Sequence, residues 1–278
     1  MSDTTPDLTF SRFLKFWRRV HQVSQEELAH RLDSSPRHIS RLESGSSRPS
    51  ESIIEDIAKA LVLRDRDRNH MRIAAGYFPQ QQKVDFHSPD LKWLRKAMML
   101  TLRAMDPYPA TLMDSASNIL MVNKAWVGFY QKNIPVDKLN KVNNHFDFLF
   151  SSDVAGSITS GWEDTLSMIL MALQQSAFLS NDPAEMALME RFLQHPNVPE
   201  NWELRASDLE PMASFRVQAK FDGHFQRFFS VSQTVGACGP TAYVSEPHLT
   251  INTLYPEDEG IDLSPLIKAD LCHPLLFY

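Results

Sequence analysis

Arg37, Ser40, Arg41 and Ser44 recur at i, i+3, i+4 and i+7, the spacing that gathers side chains on one face of a helix. Guanidinium and hydroxyl groups arrayed this way suit phosphate oxygens and base edges, and an arginine fork matches the two acceptors of guanine. Such a face needs a helix to carry it, and the flanking residues supply one. Ser35 and Pro36 provide an N-cap and an N1 proline, Ile39 and Leu42 an inner face, and Gly45 a left-handed stop. An earlier helix begins at Gln25. Ser24 and Glu27 have capping-box spacing, in which the hydroxyl accepts from the Glu27 amide while the carboxylate reaches back. Leu28, Ala29 and Leu32 share its inner face, and Asp33-Ser34 breaks it. Two short helices and a tight turn, the second helix cationic outside, read as a helix-turn-helix that enters a DNA major groove.

The stretch from Ser24 to Pro49 resembles the XRE, or phage-repressor-like, helix-turn-helix family, whose pattern runs S-Q-E-x-L-A, a turn, then I-S-R-x-E-x-G-x-x-x-P. Ser24, Gln25, Glu26, Leu28, Ala29, Ile39, Ser40, Arg41, Glu43, Gly45 and Pro49 all match. Asp33 stands where the family has glycine, a mild change because Asp tolerates a left-handed backbone. Ser34 stands where it prefers an apolar residue, which removes a small contact from the turn. The resemblance implies a DNA interface built from Ser24, Gln25, Ser35, Arg37, His38, Ser40, Arg41, Ser44 and Arg48. Within it, Arg37 and Arg41 are expected on bases or phosphates and His38 at the edge of the reading face. Gln25, at a helix N-terminus with free amides, is expected on phosphate. Glu43 faces inward beside Leu42, where a lone carboxylate is costly, and Arg18 is the partner that the family's layout implies.

A chain of 278 residues, 43% of them apolar, suits two domains with separate cores. Its two cysteines, Cys238 and Cys272, give neither a disulfide framework nor zinc spacing, as expected in a reducing cytoplasm. No apolar run approaches 18 residues, and the acidic, polar N-terminus does not read as a signal peptide. The net charge of −6 is unevenly spread. Residues 1–80 hold 13 Lys+Arg and 11 Asp+Glu, net +2, whereas residues 81–278 hold 15 and 23, net −8. A DNA module joined to an acidic domain accounts for this split, with phosphate contacts arising from local clustering and not from bulk charge.

The first domain, residues 1–76, is expected to be an all-α bundle of five helices. Its first helix covers about Phe10 to His21, with Phe13, Phe16, Trp17 and Val20 as the apolar face; the fourth and fifth run from about Ser52 to Leu61 and Asp65 to Ala75. Residues 77–90, with two prolines and a glutamine run, read as a linker to a second domain at 91–278. There an amphipathic helix carries Leu91, Leu94, Met98, Leu102 and Met105. Short strands follow at Ala110–Asp114 and Ile119–Val122, and Asn123 caps a further helix. Helices are expected at about Glu163–Leu179 and Pro183–Gln194, and strands at Ser214–Lys220, Gln226–Gln233, Thr241–Ser245 and Thr250–Leu254.

Strand, polar turn, strand, Asn and helix resemble the opening of a PAS domain. A helix-turn-helix joined to such a domain resembles the MmyB-like transcription regulators. The resemblance implies an α+β PAS-like domain with an antiparallel sheet that binds a small apolar, fatty-acid-like ligand, in a homodimer on an operator. Composition agrees with an apolar pocket: 10 of 12 methionines and 12 of 17 phenylalanines lie beyond position 91. The expected walls are Phe148, Phe150, Met168, Met171, Met189, Phe192, Phe225 and Phe229. Arg191, Arg205, Arg216 and Arg227 are unranked candidates to anchor a carboxylate head. Enzyme motifs are missing: there is no glycine-rich phosphate loop, H-E-x-x-H or G-x-S-x-G. Histidines at 145, 195, 224, 248 and 273 are scattered, which leaves haem ligation a minor alternative. The competing reading keeps the DNA-binding module but gives the second domain only dimerisation or protein contacts.

Overall fold

The structure, a computed structural model, describes residues 8–79, 85–151, 153–154, 159–160, 162–180, 183–209, 215–236, 249–267 and 270–278. The chain divides into two compact units, with the main division between residues 82 and 83. In the first, α1 (Thr9–Val20), α2 (Gln25–Arg31), α3 (Pro36–Glu43), α4 (Glu51–Ala60) and α5 (Asp65–Ala74) enclose a core around Leu14, Leu28, Ile39, Leu42, Ile54 and Ile57. Serines start three of these helices. The hydroxyls of Ser24, Ser35 and Ser50 accept from the amides of Glu27, His38 and Ile53 at 3.0, 3.2 and 3.3 Å. The expected reach of Glu27 back to Ser24 is replaced by an i,i+4 pair with Arg31 at 2.9 Å. Asp33 adopts φ +48° in the turn and Gly45 φ +74° beyond α3.

The apolar face expected of the first helix is corrected in part: Phe13 and Trp17 pack half-buried against the core, but Phe16 and Val20 do not. Phe10, Ser11 and Leu14 are its buried residues, while Phe16 and Val20 are 55% and 52% exposed. Ser11 can be buried because its hydroxyl donates to the Leu42 carbonyl at 2.7 Å. The segment at 77–90 is fastened at both ends. Tyr77 donates to the Pro49 carbonyl at 3.0 Å, and Arg72, paired with Glu51 and Glu55, donates to that of Phe78 at 2.9 Å. Phe86 is buried in the second unit.

The second unit opens with a 3-10 turn (Pro89–Leu91) and α6 (Lys92–Ala104). Then come β1 (Ala110–Met113), β2 (Ile119–Val122), α7 (Lys124–Gln131), α8 (Val136–Leu139), α9 (His145–Leu149) and β3 (Thr159–Ser160). Three helices follow, α10 (Trp162–Ser180), α11 (Pro183–Leu193) and α12 (Trp202–Ser207). The chain then adds β4 (Phe215–Phe221), β5 (His224–Val235) and β6 (Leu249–Pro256). The sheet is antiparallel, in the order β2-β1-β6-β5-β4-β3. The strand expected at Thr241–Ser245 lies outside the described residues. Among the described residues no helix is long and apolar enough to cross a membrane.

Both faces of β1 and β6 are covered. Ala110, Leu112 and Ile251 pack with Met98 and Leu102 of α6, and the alternate residues Thr111, Met113 and Asn252 look the other way, toward α7 and α9. One residue fixes this junction. Asn123 is fully buried; its Oδ1 accepts from the amides of Ala110 and Trp126, both at 2.9 Å, and its Nδ2 donates to the carbonyls of Tyr108 at 2.8 Å and Leu102 at 3.4 Å. The C-terminal segment backs α7: a Cβ on Gly128 would lie 2.1 Å from the Leu266 carbonyl oxygen, so only glycine allows this approach.

Candidate functional site

On α3, Arg37, Ser40, Arg41 and Ser44 are all exposed and His38 is half-buried. Neither Arg37 nor Arg41 forms an ion pair among the described residues, which leaves both guanidinium forks open to a ligand. The hydroxyls of Ser24 and Ser35 use an acceptor lone pair in capping and keep their protons for an outside acceptor. Ser44 donates inward to the Arg41 carbonyl at 3.1 Å. Arg48, also exposed, lies over the Tyr77 ring, 5.5 Å from its centroid.

Beneath this face, Arg18 donates from Nε and Nη2 to the two carboxylate oxygens of Glu43 at 2.6 and 3.2 Å. Its Nη1 donates to the Val23 carbonyl at 2.8 Å. Gln25 completes the group, its Nε2 donating to Glu43 at 2.6 Å. The amide that was expected on phosphate is therefore engaged within the fold. Burial pushes the Glu43 carboxyl up, but the hydrogen bonds from Arg18 and Gln25 outweigh it and hold the pKa below its ordinary value.

The second unit contains a cavity of about 280 Å³ between the inner face of the sheet and the helices α7, α9 and α10. The sheet contributes Thr111, Met113, Ser230, Ser232, Asn252 and Leu254; α7 contributes Trp126, Phe129 and Tyr130; α9 contributes His145, Phe146 and Leu149. Thr165, Ile169, Ala172 and Leu173 recur at i, i+4, i+7 and i+8 along α10, so one stripe of that helix closes the space. Ala172 and Ser232 are exposed members of the wall. Two polar atoms stand out: Oγ1 of Thr111, on a residue 2% exposed, and Nδ1 of His145 are buried without a hydrogen-bonding partner among the described residues.

None of the eight wall residues expected from composition lines this cavity. Phe150, Met189 and Phe192 belong to a separate core in which the Phe150 and Phe192 rings stack with centroids 5.8 Å apart, and Met171 packs against it. Phe148 is buried beneath Trp126, and Met168 lies half-buried on another stripe of α10. Phe225 is 51% exposed and Phe229 stacks on Tyr255; both alternate with Phe228 and Ser230, which face inward. The candidate head-group arginines lie elsewhere too. Arg191 pairs with Asp147 at 3.1 Å, Arg205 with Glu163 and Asp164 at 3.0 and 2.7 Å, and Arg227 is exposed. The Arg216 side chain lies outside the described residues.

A family model described as helix-turn-helix matches residues 14–61. Another, described as MmyB-like transcription regulator ligand binding domain, matches residues 94–249, more than half of the chain. No curated protein matches the sequence. The first match covers the capped helices and the open arginine face, and the second covers nearly all of the cavity wall. The chain belongs to the MmyB-like transcription regulators and joins a DNA-binding helix-turn-helix to that family's ligand-binding domain.

Proposed function

We propose that α3 reads an operator through Arg37 and Arg41, with Ser24, Ser35, Ser40 and Arg48 holding the adjacent phosphates, and that the cavity of the second unit is the sensor. A ligand that binds one state of the protein better shifts the population able to hold DNA. The observation that carries this reading is the apolar cavity itself, walled by the sheet and by α7, α9 and α10 and lying almost wholly within the stretch matched by the ligand-binding family model, because a core packed only for stability leaves few voids larger than a water molecule. An acyl-like body suits the walls of Trp126, Phe129, Leu149 and Ile169. The strand order β2-β1-β6-β5-β4, with α6 on the other face, supports a PAS-like fold. The protein acts as a cytoplasmic homodimer, since one short recognition helix reads few base pairs. Exposed Trp93, Ala97, Leu100 and Ala104 on α6, spaced 4-3-4, offer the second copy an apolar seam. A second unit serving only protein contacts would leave the cavity without a role.

Native mass spectrometry of the full chain tests the sensor reading. A bound small molecule in the wild type that is lost in Ala172→Trp, a substitution that plugs the wall at an exposed position, supports it. A wild-type chain that carries no small molecule, either as purified or after acyl compounds are added, would overturn it.

A further inference from the structure

Helix α1 carries four cations, Arg12, Lys15, Arg18 and Arg19, and no Asp or Glu. Arg18 is committed to Glu43. Arg12, Lys15 and Arg19 are exposed and form no ion pair among the described residues; Lys15 attracts the Glu43 carboxylate without pairing with it. With Phe16 and Val20 these three recur at i, i+3, i+4, i+7 and i+8, so the five share one stripe and line one shallow groove. The stripe is turned away from the reading helix, because α1 meets α3 through Ser11 and Arg18, which bond to Leu42 and Glu43. Exposed cations on a helix are ordinary, and so is a single exposed apolar residue. Here Phe16 and Val20, 55% and 52% exposed, stand one turn apart and are framed by the cations. The Phe16 ring is held edge-on against Trp17, with centroids 5.1 Å apart at 74°, so this apolar surface is fixed before anything binds.

We infer that this stripe docks an acidic segment of another protein, with an apolar side chain seated over Phe16 and Val20 and carboxylates meeting Arg12, Lys15 and Arg19. Charge decides among the occupants. A phosphate backbone would satisfy the cations but leave Phe16 and Val20 uncovered. A second copy of the same stripe would set cation against cation. A bilayer surface takes up a longer apolar face than two residues supply. An acidic protein segment satisfies both halves of the stripe, burying the apolar pair and neutralising its charged rim. Arg12 and Arg19 stand about 10 Å apart along the helix axis, so a segment of about two helical turns with carboxylates toward both ends matches them. Turned away from α3, the stripe stays open while α3 holds an operator. The inference stands on α1 and does not depend on the cavity.

Fluorescence anisotropy of the full chain with a labelled, Ala-rich peptide of about 15 residues tests this. The peptide carries glutamates at i, i+3 and i+7 beside two leucines one turn apart; one control has glutamine for the leucines, another has lysine for the glutamates. The first peptide should bind about tenfold or more tighter than either control, and more weakly as salt rises. The triple variant Arg12→Gln, Lys15→Gln, Arg19→Gln and, separately, Phe16→Gln should each weaken it by roughly fivefold or more. Melting temperature and affinity for a selected operator should stay unchanged in both. Failure of the first peptide to bind, or binding equal to that of its leucine-free control, would leave only a solvated cationic face and overturn the inference. It is also overturned if the triple variant loses operator affinity, which assigns the stripe to DNA, or if Phe16→Gln changes the oligomeric state, which assigns it to a second copy. Tighter binding to phosphatidylglycerol vesicles than to the peptide would overturn it in favour of a membrane surface. The comparison of the three peptides on the wild type holds whether or not a variant folds.

Discussion

Nε of Arg18 lies 2.6 Å from Oε1 of Glu43, and the two side chains are unequally covered: 16% of Arg18 is exposed against 3% of Glu43. The pair ties the end of α1 to the end of α3, and Gln25 brings the start of α2 to the same carboxylate. Removing either charge strands the other, but Arg18 still reaches water and the Val23 carbonyl, whereas Glu43 would keep one hydrogen bond, from Gln25, and the weaker attraction of Lys15. Arg18→Ala should therefore destabilise the first unit more than Glu43→Ala, with a larger loss of about 3–5 kcal/mol. Urea melts of both variants and the double mutant check the order. Because the folded Glu43 pKa is lowered, its contribution is complete above its unfolded value near 4.5 and is lost as pH falls from there through the folded value.

Arg37→Ala and Arg41→Ala should each weaken a selected operator by about 1–3 kcal/mol and relax preference at one base pair, with no change in melting. Fluorescence anisotropy on operator and scrambled duplexes measures both effects. Gln25→Ala should behave differently. Its Nε2 serves Glu43, so the variant loses stability as well as affinity, and the affinity loss is shared by all sequences.

Two histidines make the second unit acid-sensitive. Burial lowers the His145 pKa to about 4; burial also lowers that of His273, although its hydrogen bond to the Leu139 carbonyl pulls the other way. The His273 ring is fixed in one tautomer, since Nδ1 accepts from the Leu275 amide at 3.1 Å, which leaves the proton on Nε2 for Leu139. Both groups are neutral when folded and must charge on unfolding in acid. Their contribution is complete above pH 6.5 and is lost as pH falls toward the folded values, by up to about 1.4 kcal/mol per unit for each. Thermal melts from pH 7.5 to 4.5 should show this slope, and His145→Leu should flatten it.

Gly128→Ala should unfold or loosen the second unit, because its new methyl meets the Leu266 carbonyl, a backbone atom that cannot rotate away. Separating α7 from the C-terminal segment costs about 1–3 kcal/mol and displaces Trp126 and Phe129, which flank the glycine and line the cavity. A lowered melting temperature of the full chain, followed by circular dichroism, is the expected result.

The helix-turn-helix is legible because its signals are local: Ser24, Ser35, Pro36 and Gly45 each act within one turn of their own helix. Asn123 is legible as a cap for the same reason, but its bonds to Leu102, Tyr108 and Ala110 are not. The first helix misleads because Ser11 is buried by a bond to residue 42, while Phe16 and Val20 are left outside. The cavity walls are missed by a register. Composition marks β5 as aromatic, yet only pairing with β4 and β6 decides that Phe228 and Ser230 face inward and Phe225 and Phe229 do not. Thr111 and His145 carry no pattern of their own, and a run of Met and Phe points to the densest core instead of to the emptiest space.

The bonds of Asn123 span 3 to 21 residues, whereas β1 meets β6 across a separation of roughly 140. The two sides of β1 are thus closed at very different entropic cost: the α6–β1–β2–α7 segment can assemble early, and the β6 side waits for a long-range closure. Asn252 and Leu254 of that strand are part of the cavity wall, so the cavity is incomplete until this long-range pairing is made. A ligand held there binds only the finished sheet and acts as a latch on its completion, raising the stability of the second unit in proportion to its own concentration.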